Sequence, residues 1–215
     1  LHRVLEVQYK TAWFLSHRIR EAMRSGELTP FGGGGGPVEV DETYIGKLPG
    51  KKTKRGVGHM MKVLLLVDRN TGRAKSFVVD NTTMITILPI LQANIAKEAI
   101  LMTDEANVYK ALGHNFSQHE HVRHSIGEYA YGPIHTQTIE GFFSIFKRGM
   151  KGVYQHCSKK HLHRYMAEFD FRYSNRAGRG VDDTARATKA LLGVVGKRLT
   201  YARPDQKGLE HKGLA

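Results

Sequence analysis

Cysteine is almost absent: Cys157 stands alone among 215 residues. A single thiol excludes an internal disulfide framework and any multi-cysteine zinc site within this chain, and it fits a reducing cytoplasm. Long apolar runs are missing too. The longest aliphatic run, Val63 to Val67, falls far short of the roughly 20 residues that a membrane-spanning helix needs, so no membrane partner is expected. No secretory signal is read at Leu1, and a start at Leu rather than Met reads as a piece of a longer chain. Acid is the third scarcity, with 20 Asp+Glu against 33 Lys+Arg and a net charge of +13. Such a field favours polyanions; neutralising even six phosphates would give a log–log salt slope of roughly −5.

The remaining composition, 40% hydrophobic and 25% charged, is that of a globular protein with one sizeable core and a small appendage. Residues 8–24 read as a helix with Ala12, Leu15, Ile19, Ala22 and Met23 at 3-and-4 spacing. With the short helical stretch before it, this predicts a partial helix-turn-helix arm over 1–28, presenting Gln8, Lys10 and Thr11. The alternative is a helical arm packed on the main domain. Gly32 to Gly36 and Pro37 predict a flexible linker, bounded here as 29–37.

Beyond it the pattern turns to strands: VEVDETYI alternates, MKVLLLVD is a buried-strand run, and RAKSFVVD alternates again after a DRNTG turn. A helix over 84–97, a short strand AILMT, a helix from NVYKAL, a strand within 115–124 and helices at 138–149 and 158–175 follow. That order predicts an α/β fold, a mixed sheet flanked by helices. The tail from Pro204 reads as disordered.

Three acids occupy distinctive settings: Asp41 in VEVDETYIG, Asp104 in ILMTDEANVY and Glu140 in HTQTIEGFFSIFKRG. Alternation places Glu39, Asp41 and Thr43 on one face of the first strand, where a buried carboxylate needs a partner or a metal. Asp104 ends a strand, where α/β sheets place ligand sites; helix N-capping is its bland alternative. Glu140 begins a helix that carries Lys147 seven residues on, close to the same face. Asp68 and Asp80 read as turn formers, and the histidines at 114, 119, 121 and 124 lack the cysteine partners and spacing of a zinc site. Separated carboxylates on a basic chain suit two-metal phosphoryl transfer on nucleic acid, because two Mg²⁺ ions about 4 Å apart need converging oxygen ligands. The predicted metal ligands are Asp41, Asp104 and Glu140, with Mg²⁺ as cofactor and Mn²⁺ as substitute. The predicted phosphate contacts are Lys51, Lys52, Lys54 and Arg55, then Lys147, Arg148 and Lys151, then Lys159, Lys160 and Arg164.

VEVDETYIG, TDEANVY, HSIGEY, HTQTIEGFFSIFKRGMKGVY and SKKHLHRYMAEFDFRYSNR resemble the ISXO-type insertion-sequence transposases of bacteria, relatives of the Merlin elements. KTAWFLSHRIREAM and GKRLTY extend the resemblance over most of the chain. It implies an RNase H-like catalytic domain over 38–176 with a DDE-type site at Asp41, Asp104 and Glu140, the motif lysine being Lys147, followed by a helical extension and flexible tail over 177–215. Gln137 stands where the family usually has Asn, and the family's zinc ribbon and complete helix-turn-helix are not met in these residues. The implied activity is metal-dependent cleavage at transposon ends and strand transfer into target DNA by a homodimer or larger synaptic complex, in the cytoplasm and on the nucleoid when DNA-bound. Two alternatives remain open: a nuclease of the same fold without a joining step, and a DNA-binding remnant or regulator without catalysis.

Overall fold

The structure is a computed structural model that describes residues 1–53, 55–104, 109, 115–121, 130–131 and 134–197. Lys54, the helix expected from NVYKAL save Tyr109, His114, the HSIGEY stretch and the tail from Pro204 lie outside the described residues.

Three strands form an antiparallel meander: β1 (Pro37–Ile45), β2 (Met61–Asp68) and β3 (Ala74–Val79). After α3 (Met84–Asn94), β4 (Ile100–Thr103) joins parallel to β1, and β5 (Gln118–His121) joins parallel to β4. The order β3-β2-β1-β4-β5, an antiparallel meander with two parallel strands added beside its first strand, is the expected RNase H-like sheet. A two-residue pair, β6 (Ala130–Tyr131) with β7 (Ile134–His135), precedes α4 (Gln137–Gly149). A π-type turn, Met150–Tyr154, leads to α5 (Lys159–Ser174), and α6 (Asp183–Leu192) follows.

The central run of β2 is buried on both faces, which explains its unbroken hydrophobicity. Val63, Leu65 and Val67 meet Ile139, Phe142 and Phe146 of α4 and Leu162 and Met166 of α5. Leu64 and Leu66, with Val38 and Val40 of β1, meet Ile87 and Leu91 of α3. The sheet thus carries helices on both faces. The free edge of β3 is closed by α5: Ala74 N–H donates to Ser174 Oγ at 3.0 Å, and Ser76 N–H to Asp170 Oδ2 at 2.9 Å. Satisfying those outward amides removes a template for edge-to-edge pairing.

The N-terminal arm is α1 (His2–Leu5) and α2 (Tyr9–Met23). α2 lies against α5, where Arg20 Nε meets Glu168 at 2.9 Å and its guanidinium stacks 4.2 Å from the Tyr165 ring. Lys197 Nζ returns to the C-terminal end of α2, donating to Glu21 O at 3.0 Å and Ala22 O at 3.3 Å. The buried face agrees only in part with the one read by spacing. Ala12, His17 and Ala22 are buried, whereas Ile19 is exposed, because the α5 contact selects the Trp13–His17–Arg20 side. Gln8, Lys10 and Thr11 are exposed.

The glycine run is also corrected. Gly32 is buried, donates its N–H to Asp68 Oδ2 at 2.9 Å, and has φ +72. A Cβ there would come within 2.5 Å of Ala99 Cβ and 2.7 Å of Val38 Cγ2. Glycine serves close approach and a left-handed turn at this position, so the segment is a seated turn rather than a flexible tether. Among the described residues no helix is long and apolar enough to cross a membrane.

Candidate catalytic site

β1 and β4 set the site. Their parallel register pairs Pro37 with Ile100, Val38 with Leu101 and Glu39 with Met102. Continued by two residues, it places Asp41 opposite Asp104, the residue immediately after β4. Residues in register on adjacent strands share a face at a strand spacing of about 4.8 Å, so the sheet brings the two aspartates together. Glu140 lies in the first turn of α4 on its exposed side, and accepts from Thr136 Oγ1 at 3.3 Å.

The carboxylates feel one another. Burial first, then the charges of Glu42, Asp104 and Glu140, push the Asp41 carboxyl from 3.8 up to about 8, against the opposing pull of the Glu42 backbone N–H. Glu42 is raised as well, by burial and by Asp104, while the hydrogen bond from the Tyr109 hydroxyl works the other way. Among the described residues, no three His, Cys, Asp or Glu side chains form a group that could hold a metal ion as they stand. The donor set nonetheless fits a hard divalent cation: it is all oxygen, and the buried Asp41 carboxyl is raised partly by the acids beside it, as a carboxylate lacking a shared cation is.

A buried carboxylate fixes the geometry between β1 and α4. Glu39, fully buried and two residues before Asp41 on the same face, accepts Ile139 N–H at 2.8 Å and Arg69 Nε at 2.5 Å. It therefore caps the N-terminus of the helix that carries Glu140, where the dipole favours an anion, and Arg69 offsets its charge. Spacing had flagged Glu39 only as a companion of Asp41; its Arg69 partner, 30 residues on, follows from the β1–β2 register and has no local signal. Glu42 and Tyr109 were missed for a similar reason, since alternation sends Glu42 to the opposite face.

α4 is amphipathic rather than buried over most of its surface. Ile139, Phe142, Phe143 and Phe146 face the core, while Ile145 is half-exposed and Glu140, Lys147 and Arg148 are exposed. Lys147 Nζ sits 5.9 Å from the Phe143 ring centroid.

The predicted phosphate contacts divide by position. Lys51, Lys52 and Lys151 border one groove, and Arg55 is exposed in the same β1–β2 loop. Lys160 is exposed, but Lys159 pairs with Asp80. Arg164 turns toward α2, its Nη1 3.1 Å from His161 Nδ1 and its Nε buried, which removes it from the outward-facing set. Asp68 is the turn former expected, its Oδ1 accepting Thr71 N–H at 2.9 Å.

Comparison with known proteins gives four similarities. Residues 34–174 match the family model described as an ISXO2-like transposase domain. An uncharacterized protein in transposable element ISH50 of Halobacterium salinarum is 27% identical over 184 residues, covering 78% of this chain. The chain spans 61% of that relative's length. Among solved structures, the catalytic core domain of BIV integrase superposes with a TM-score of 0.42 at 14% identity, covering 66% of this chain and 85% of that one. A simian T-cell lymphotropic virus intasome in complex with the PP2A regulatory subunit B56 gamma gives a TM-score of 0.35 at 12% identity, covering 87% and 57%.

Proposed function

The chain belongs to the ISXO2-like transposase family, and from that premise we propose that it cleaves DNA at transposon ends and joins the freed 3′-hydroxyl to target DNA. The observation that carries this reading is the register of Asp41 with Asp104 on adjacent strands, with the Asp41 carboxyl raised to about 8 by burial first and then by its acidic neighbours. A chain with a +13 charge has little other reason to gather acid at one strand end.

Asp41 and Asp104, joined by Glu140, would hold Mg²⁺ or Mn²⁺. Bound there, the metal supplies Lewis acidity at the phosphoryl oxygen and a more acidic water. The chain's own residues do the rest. Glu39 and Arg69 hold α4 against β1, so that Glu140 approaches the aspartates from a fixed helix. Lys147 and Arg148, exposed two turns along α4, meet the phosphodiester backbone and orient the strand for in-line attack. No covalent enzyme intermediate is required, since water and then a DNA hydroxyl act as nucleophiles. Joining two transposon ends calls for a homodimer or larger assembly.

The test supplies duplexes carrying the element's terminal repeats with Mn²⁺ and follows nicking and covalent joining to a second duplex. Wild type is expected to do both, and Asp41→Asn neither while still binding DNA. Full joining by Asp41→Asn would overturn the reading; nicking without joining would favour the nuclease.

A further inference from the structure

Beyond the acidic site, the β1–β2 loop and the π-type turn after α4 enclose a groove of about 900 Å³. Its floor is apolar: Met61 and Met150 are core residues, and Leu48 and Cys157 pack against that same core. Its rim is basic, with Lys47, Lys51, Lys52 and Lys151 all exposed, and no carboxylate lines it among the described residues. The loop side is closed on itself, Leu48 N–H donating to His59 O at 2.8 Å. Gly46, with φ +59, turns the chain where a Cβ would lie 2.7 Å from Met61 Cε. The concavity is therefore built.

Its place in the fold selects the occupant. β1 leads from Asp41 to Ile45 at the groove, about 13 Å at 3.3 Å per residue. α4 leads from Glu140 past Lys147 and Arg148 to Met150, about 15 Å at 1.5 Å per residue. A strand engaged at the acids thus runs along an exposed basic helix face into this groove. A duplex would use only the rim, because its base faces are stacked away. An unpaired strand uses both parts: phosphates meet the lysines, and base faces lie on the apolar wall of Leu48, Pro49 and Cys157.

We propose that this groove binds single-stranded DNA, receiving the unpaired stretch that adjoins the cleaved position. The proposal rests on the transposase reading for its substrate, but the binding event needs neither metal nor catalysis.

The test measures fluorescence anisotropy of a labelled single-stranded hexanucleotide in EDTA, against the same six base pairs held as a blunt duplex by a glycol linker joining the two strands. The single strand is expected to bind at least tenfold more tightly, with a log–log salt slope of about −3 for four lysines. Lys51→Ala/Lys52→Ala, which alters only exposed side chains, is expected to weaken it at least tenfold. Lys97→Ala removes an exposed lysine beyond the far end of the sheet and is expected to change it less than twofold. Equal binding of single strand and duplex, equal losses in both lysine variants, or equal displacement by a polyglutamate peptide would overturn the proposal. Hexanucleotide binding as expected, with no nicking under Mn²⁺, would keep the groove and overturn the transfer reading.

Discussion

Glu39 Oε2 accepts the backbone N–H of Ile139 at 2.8 Å, joining the strand of Asp41 to the helix of Glu140 through one buried carboxylate. Glu39→Ala takes the carboxylate acceptor away from Ile139 N–H and removes the ion pair to the largely enclosed Arg69 guanidinium. A loss of about 3 kcal/mol in chemical denaturation is expected. Glu39→Gln keeps an acceptor for Ile139 and is expected to be less destabilised, yet to bind Mn²⁺ more weakly than wild type because α4 is less firmly held. Unchanged Mn²⁺ affinity in a folded Glu39→Gln protein would contradict the positioning role.

Gly32→Ala tests whether the glycine run is seated. Its Cβ would come within 2.5 Å of Ala99 Cβ at a left-handed φ, so a destabilisation of roughly 2 kcal/mol or more is expected by thermal or chemical unfolding. Gly33→Ala, with open space around its Cβ, is expected to be near neutral. A flexible linker would tolerate both equally.

Asp41 predicts a pH signature. Its carboxyl is raised from 3.8 to about 8, so between those values the native chain holds a proton that the unfolded chain releases. Stability without metal is therefore expected to be fullest below pH 4 for this group's contribution and to fall as pH rises through about 8. Mn²⁺ binding at pH 7 is expected to release about one proton, visible by calorimetry in buffers of different ionisation enthalpy. Asp41→Asn is expected to lose both effects.

Asp170 gives a second, separable window. Burial raises it from 3.8 to about 7, against the opposing hydrogen bonds from Ser76, and its Oδ1 is buried without a hydrogen-bond partner among the described residues. Its contribution to stability is likewise lost as pH rises through about 7. Asp170→Asn removes the buried charge while keeping an acceptor for Ser76, so a gain of roughly 1–2 kcal/mol at pH 8 and little change at pH 4 are expected by denaturation. Greater destabilisation at pH 8 than at pH 4 would contradict it.

Much of the sheet was legible because its signals are local. The buried run of β2, the alternation of β1 and the strand-ending Asp104 each follow from side-chain period and burial. What was not legible depends on partners distant in sequence. Gly32 meets Ala99 and Asp68, Glu39 meets Arg69 and Ile139, and α2 buries His17 rather than Ile19 because of α5. Composition made the glycines look like a tether, since flexibility and close packing both demand a missing side chain. The basic clusters were visible, but their outward or inward orientation was set by tertiary contacts, as Arg164 and Lys159 show.

The most direct measurement is Mn²⁺ anomalous scattering from crystals of the protein bound to a transposon-end duplex, for wild type and Asp104→Ala. A peak between Asp41 and Asp104 that vanishes in the variant is expected. Absence of any peak at those aspartates with DNA in place, or a peak that persists in Asp104→Ala, would contradict the metal-dependent site on which the reading depends.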